Sequence, residues 1–336
     1  MGTPVIGNID SDEYLEVVVG GYQSPTSSCP LFAINHDGTD VNGFPYIVGE
    51  KIKSGVALAD MNGNGIEDII FGTDGDNIYV LLDDLSVADY FPIDIGNNIQ
   101  SEPAVYDIGS EKIILTGCKD NNFYAFNYSD GSLRFVIPTG DDVYTTPSFD
   151  VNGNIYFGSD DGNVYAVDIN GSLLEGYPLD LGSALIGSIV FNDLTGDGLE
   201  NMVAGTSAGK IFAYGDNSLL QYFPINYQYS IASSPQILDY DLDGDLEIIA
   251  GTSGDIIVVD VKSLSSGNEE AWSLYKGNFL RSGYFFSDGS DGCTILGDVN
   301  CDFIIDVIDI IIAVNIIMEG VENFTNSELW AADING

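Results

Sequence analysis

The chain has 336 residues, of which 52 are Asp or Glu and nine are Lys or Arg, so its net charge is −43, and it carries one histidine, His36. That balance argues against a nucleic-acid binder, which needs clustered Lys and Arg to meet phosphates, and against docking on an anionic membrane. A lone histidine argues strongly against histidine-dependent catalysis and against multi-histidine zinc and iron centres.

The first residues, "GTPVIGNID", show neither the basic region nor the apolar core of a secretory signal. From there, residues Asn8, Asp60, Asp107, Asp150, Asp193 and Asp239 mark a repeat at intervals of roughly 40 to 50 residues, the length of one four-stranded propeller blade. Each unit begins with a short strand, as in "TPVIGNI", "SGVALAD" and "SPQILDY". A second strand ends in glycine ("LEVVVGG", "EDIIFGT", "LEIIAGT") and a third follows ("LFAINHDG", "IYVLLDD", "VYAVDINGS"). The fourth run reads "GFPYIVG", "YFPIDIG", "GYPLDLG", "YFPINYQ" and, in the last unit, "AWSLYKG". Gly, Asn and Asp punctuate these runs, and helical periodicity is absent before residue 300.

The predicted fold is therefore all-β, a β-propeller with six visible blades near 3–52, 53–99, 100–143, 144–185, 186–230 and 231–286. A seventh blade upstream and a closed ring of six both fit this pattern. Residues 287–292 have linker composition, and 293–336 form a separate small segment.

The turns between the first and second strands carry the chemistry. In "LDYDLDGDLEIIAGT", Asp239, Asp241, Asp243 and Glu247 fall at positions 1, 3, 5 and 9 of a loop, with Gly244 at position 6 and the Asp245 carbonyl at position 7. A hard, oxygen-seeking cation needs this arrangement, which ordinary turn preferences for Asp, Asn and Gly do not require. Asp60, Asn62, Asn64, the Ile66 carbonyl and Asp68 repeat it, as do Asp193, Thr195, Asp197, the Leu199 carbonyl and Asn201. Asn8, Asp10, Asp12, the Tyr14 carbonyl and Glu16 form a fourth set, with Glu13 where glycine is preferred. Calcium is expected over magnesium, which takes few protein ligands and several waters. The turns "DIGSEK" and "DVNGN" are shortened and lose the ninth position.

With these units in view, the chain resembles the FG-GAP or VCBS-type calcium-binding repeats of bacterial surface propellers and the integrin α-subunit, and its "GNVYAVDINGS" strands are similar to those of quinoprotein-like propellers. The resemblance covers residues 3 to about 286. It implies that ions brace blade hairpins and that the protein is extracellular or at the cell surface. Quinone chemistry is not expected, since only Trp272 and Trp330 are present. The aromatic cluster of Tyr222, Phe223, Tyr227 and Tyr229 is expected to pack between blades, with sugar stacking as the alternative.

After the linker, Asp298, Asn300, Asp302, the Ile304 carbonyl and Asp309 occupy positions 1, 3, 5, 7 and 12 of an EF-hand-like loop leading into an apolar helix. This resembles the first half of a type I dockerin, with a second half beginning at "ADING". It implies docking to a cohesin-like or surface protein. Phe303 and Cys301 depart from that family's pattern. Cys293 and Cys301 are near enough in sequence for a local disulfide, two unpaired thiols being the alternative. The stretch 303–318 is too short to span a bilayer and carries Asp306 and Asp309.

The expected function is that of an exported, calcium-binding, non-catalytic binding or scaffold module tethered by its tail, with a polysaccharide or an extracellular protein on the propeller face. A polysaccharide-active hydrolase or lyase, or its carbohydrate-binding subunit, is the alternative, and a calcium-dependent adhesin is a further one. No catalytic residues can be singled out, because acids are everywhere.

Overall fold

The computed structural model describes residues 2–12, 14–21, 29–215, 218–262, 267 and 271–287. They are all-β, and their strands fall into six small sheets that follow one another along the chain. In sheet 1, Val5–Gly7, Glu16–Gly20, Pro30–Ile34 and Tyr46–Ile47 pair in sequence order as an antiparallel meander. Sheet 2 repeats this with Ala57–Ala59, Asp68–Gly72, Asn77–Leu81 and Ile93–Asp94. Sheets 3, 4, 5 and 6 begin at Ala104–Asp107, Ser148–Phe149, Val190–Asn192 and Gln236–Leu238.

The burial gradient across each sheet explains the sequence pattern. In sheet 2 the first and second strands are covered on both faces, so Ala57–Ala59 and Asp68–Gly72 are buried throughout and read as apolar runs. Fourth strands are two residues long and half exposed in sheets 1, 2 and 4, as at Tyr46–Ile47 and Leu179–Asp180, which keeps the outer edge short, whereas sheet 3 has the six-residue Leu133–Pro138. Aromatic rings fill the space between sheets: Phe123 and Phe157, both fully buried, stack at 3.9 Å.

The "FP" and "YP" pairs build the connection to the fourth strand. Phe44–Pro45, Phe91–Pro92, Tyr177–Pro178 and Phe223–Pro224 are all cis, and each is preceded by a residue with positive φ. That residue is Gly43 or Gly176 in two sheets and Tyr90 or Tyr222 in the others. Of the aromatic cluster, Phe223 and Tyr227 pack against the core, whereas Tyr222 and Tyr229 are 84 % and 41 % exposed.

The last unit departs from the expectation. "AWSLYKG", residues 271–277, contains no strand, and the described part of sheet 6 has three strands. Instead, residues 271–287 run along the inner edges of the sheets. The amides of Ile6, Leu58, Val105, Phe191 and Ile237, each in the first strand of a different sheet, donate to the carbonyls of Leu280, Ser282, Gly283, Trp272 and Ser273 at 2.8–2.9 Å. The remaining first strand is approached through Tyr275, whose hydroxyl lies 3.4 Å from Thr146 Oγ1. Tyr284–Phe286 then pairs in parallel with Ala104–Asp107. A row of inner-edge amides must find acceptors, and this segment supplies them. The residues that lead into the first strands of all six sheets line one cavity of about 590 Å³, together with Tyr275 and Arg281 of the crossing segment.

Candidate metal centre

Each acidic turn sits where a first strand leaves the ring axis and doubles back into the second. In the Asp60 turn, Asp60 Oδ1 accepts from Gly63 N at 2.7 Å and Oδ2 from Gly65 N at 2.8 Å. Asp193 does the same with Gly196 N at 2.7 Å and Gly198 N at 2.8 Å, and Asp239 with Asp243 N at 3.2 Å and Gly244 N at 3.1 Å. The position-7 amide donates to the position-5 side chain in all four turns, pairing Tyr14 with Asp12, Ile66 with Asn64, Leu199 with Asp197 and Asp245 with Asp243. The position-9 side chain accepts from the amide of position 2: Glu16 from Ile9, Asp68 from Met61, Asn201 from Leu194 and Glu247 from Tyr240. Gly65, Gly198 and Gly244 have φ of 85°, 82° and 93°. A Cβ at any of the three would meet nothing within 4 Å, so conformation and not crowding demands glycine there. Glu13 lies outside the described residues.

The four turns share a backbone but differ in how many acids they gather. Asp10, Asp12 and Glu16 bring carboxylate oxygens within 4.8 Å of one another, and so do Asp239, Asp241 and Glu247. In the Asp60 turn the amides of Asn62 and Asn64 turn to Asp83 Oδ1, at 3.2 and 2.9 Å, and Asp68 Oδ1 accepts from Asp83 N at 2.9 Å. In the Asp193 turn, Thr195 and Asn201 bring no charge, and Asp197 and Asp193 are the acids.

Glu16 and Glu247 are 0 % and 3 % exposed, and each keeps one oxygen, Oε1, buried without a hydrogen-bond partner. Asn8 Oδ1 is orphaned in the same way. Burial pushes the Glu16 carboxyl up, against the pull of the Ile9 amide, and the charges of Asp10 and Asp12 add to the rise. An unsatisfied buried oxygen costs about 1–3 kcal/mol, more when charged. A divalent cation would satisfy such oxygens, so the residues of these two turns fit a hard metal ion. In the Asp239 turn, Lys262 Nζ stands 3.2 Å from Asp243 and from Asp245 and 2.6 Å from Asp260.

Sequence reasoning missed two carboxylates. Glu67 and Glu200 occupy position 8, where the other two turns have Leu15 and Leu246. Glu67 reaches the neighbouring sheet, accepting from Asn8 N at 2.7 Å, while Asn8 O accepts from Glu67 N at 2.8 Å. Glu200 likewise takes Val151 N at 2.8 Å. Burial pushes both carboxyls up to about 7. The available signal was an acid placed directly before the ninth ligand in an otherwise apolar strand.

Many other acids are turn builders. Asp37, Asp84 and Asp130 each accept from the amide two residues on, and hydrogen bonds from Thr39, Ser86 and Ser132 hold their carboxyls below the usual range. His36 is exposed and stacks on Tyr14 at 3.8 Å. In the shortened turns, Asp107 binds the Tyr284 hydroxyl at 2.9 Å and Asp150 the Asn154 amide at 2.8 Å. Cys293, Cys301, Asp298, Asn300, Asp302, Ile304 and Asp309, and with them the dockerin-like reading, lie outside the described residues.

No protein-family model matches the chain, and no curated protein matches it in sequence. Solved structures do match. BBS1N, in a complex with ARL6DN from a lead-soaked crystal, superposes with a TM-score of 0.53 at 14% identity, over 79% of this chain and 80% of that one. BamB from Moraxella catarrhalis gives 0.52 at 12%, over 79% and 72%. The V. cholerae biofilm matrix protein Bap1 gives 0.55 at 16%, over 71% and 41%. The fold is β-propeller-like. At these identities the likeness concerns the fold alone, and within it the acidic turns occupy the face where first strands end while the axial cavity opens where they begin.

Proposed function

We propose that the chain is an exported propeller of six blades, braced by calcium, that displays a binding surface and catalyses no reaction. The observation that carries this reading is the pair of buried, unpartnered carboxylate oxygens, Glu16 Oε1 and Glu247 Oε1, each beside two further acids of its turn. Asn8, Asp10, Asp12 and Glu16 would hold one ion, and Asp239, Asp241 and Glu247 another. The Asp60 and Asp193 turns, with the same backbone and fewer charges, would bind more weakly. When bound, the ion supplies positive charge that lets like-charged side chains converge on a hairpin. The chain holds those side chains in place through the amides of positions 2, 6 and 7.

The likeness to FG-GAP or VCBS-type repeats belongs to this proposal, as does the extracellular or cell-surface location. The capture of ARL6DN by BBS1N supports a protein-binding role in general terms. Tethering through residues 293–336 to a cohesin-like partner rests on the spacing of Asp298, Asn300, Asp302 and Asp309. Thermal unfolding with calcium, magnesium or chelator tests the bracing. A large upward shift in calcium supports it, and coincident curves in calcium and chelator would sink it.

A further inference from the structure

The axial cavity is built from one repeat position. Thr3, Glu102, Thr146, Ser188 and Ser234 each stand two residues before the first strand of their sheet, and all line the cavity. The sixth equivalent is Gly55, where a Cβ would stand 2.6 Å from the Glu102 carboxyl carbon, so the Glu102 side chain takes the room that glycine leaves. Adjacent members are tied together: Thr146 N donates to Ser188 Oγ at 3.1 Å, and Ser188 N to Ser234 Oγ at 2.9 Å. Four of the six positions thus present hydroxyls to a space of about 590 Å³, inside the roughly 300–1,000 Å³ of small-molecule sites. Ser54 Oγ lines the same space, buried and without a partner.

The charge of this cavity opposes that of the rest of the molecule. Two of the chain's nine bases, Lys53 and Arg281, line it, and a third, Lys276, is buried behind Glu102. Lys53 is neutralised by Asp74 at 2.7 Å, and the fully buried Lys276 by Glu102 at 3.5 Å. Arg281 lines the cavity half-buried, and among the described residues its guanidinium has no acceptor. Burial pushes the Lys276 ammonium down against the pull of Glu102, and the Arg281 charge adds to the fall. In a chain with 52 acids, Arg281 is a cavity-lining base that no carboxylate among the described residues neutralises.

We propose that the axial cavity binds a sugar acid, a hydroxylated monocarboxylate whose carboxylate pairs with the Arg281 guanidinium while its hydroxyls meet the Ser and Thr ring. A guanidinium recognises a carboxylate through two parallel hydrogen bonds. A single free cation matches a monoanion, whereas a phosphate or sulfate dianion would bring a second negative charge into a chain of net charge −43. Tyr144 and Tyr275 supply aromatic surface for the carbon skeleton. The inference does not depend on the acidic turns, which lie at the other end of the first strands.

The test is calorimetric titration of the whole chain with D-glucuronate and D-galacturonate, beside glucose, methyl glucuronate ester and inorganic phosphate, each in calcium and in chelator. The expected result is saturable binding of at least one sugar acid, with glucose and the ester weaker by about tenfold or more, one charge-assisted contact's worth. Arg281→Gln should remove that binding, and Ile186→Glu, at the 47 % exposed rim, should weaken it by like-charge repulsion without touching the core. Circular dichroism confirms that both variants are folded. Absence of saturable binding, binding indifferent to both substitutions, or tighter binding of phosphate would each overturn the proposal. If calcium fails to stabilise the protein while sugar acids still bind, the bracing falls and this inference stands.

Discussion

Lys276 Nζ lies 3.5 Å from Glu102 Oε2 and also donates to the carbonyl of Val56, so one ammonium joins the crossing segment to the entries of two sheets. Lys276 is 0 % exposed and Glu102 is 8 % exposed. Removing one member of such a pair leaves the other uncompensated, at about 3–5 kcal/mol. Glu102→Gln is expected to cost about that much in urea unfolding. Lys276→Met should cost less, because Glu102 faces the cavity and can be solvated there. The double variant should recover much of the Glu102→Gln loss, and simple additivity would show that the two do not interact.

The same lysine gives the protein an alkaline signature. Burial lowers its pKa in the folded state, so between that value and 10.5 the unfolded chain holds the extra proton and stability rises with pH. Below the folded-state pKa both states are protonated and the burial cost is fully present. The difference in stability between wild type and Lys276→Met should therefore move in favour of wild type as pH rises through this window. A constant difference would mean that the ammonium is not desolvated.

Calcium binding should be divisible by site. At about one hundred times the dissociation constant, one site adds about 2.7 kcal/mol. Glu247→Gln is expected to remove one such increment in calcium and to leave stability in chelator equal or higher, since it neutralises a buried oxygen that lacks a partner. Lys262→Met should act oppositely on the same turn. It frees Asp243 and Asp245 from their ammonium, and the calcium affinity read by titration should tighten several-fold.

Leu242 has φ of 60° and is 86 % exposed, at the position where the Asp60 and Asp193 turns have Gly63 and Gly196. A left-handed conformation costs a leucine about 1–2 kcal/mol, and glycine returns part of that as chain entropy. Leu242→Gly should therefore stabilise by a few tenths to about 1 kcal/mol. Destabilisation of that size in urea unfolding would show that the side chain makes a contact worth more than the strain.

Trp272 is 6 % exposed and meets Phe149 edge-on at 4.9 Å, anchoring the crossing segment between sheets 4 and 5. Trp272→Ala is expected to cost about 3–5 kcal/mol. Hydrogen exchange should show the amides of Phe191 and Ile237 losing protection first, because their acceptors are the Trp272 and Ser273 carbonyls.

By itself, the sequence determined everything that depends on a few neighbouring residues. The repeat, the apolar inner strands and the glycines at position 6 were legible because backbone torsion and turn hydrogen bonds close within about ten residues. The likeness of the Asp60, Asp193 and Asp239 turns was legible for the same reason. What only the tertiary structure decided spans the ring. Glu67 and Asn8 are partners because two sheets meet there. Residues 271–277 have the apolar and aromatic content of a fourth strand, yet inner-edge amides of five sheets needed acceptors, and a segment lying along the axis satisfies them where a strand at the rim does not. The pairing of Lys276 with Glu102, and the place of Arg281 in the cavity wall, follow from that path. Composition counted nine bases among 52 acids, and only the tertiary structure brought Lys53 and Arg281 to the wall of one cavity.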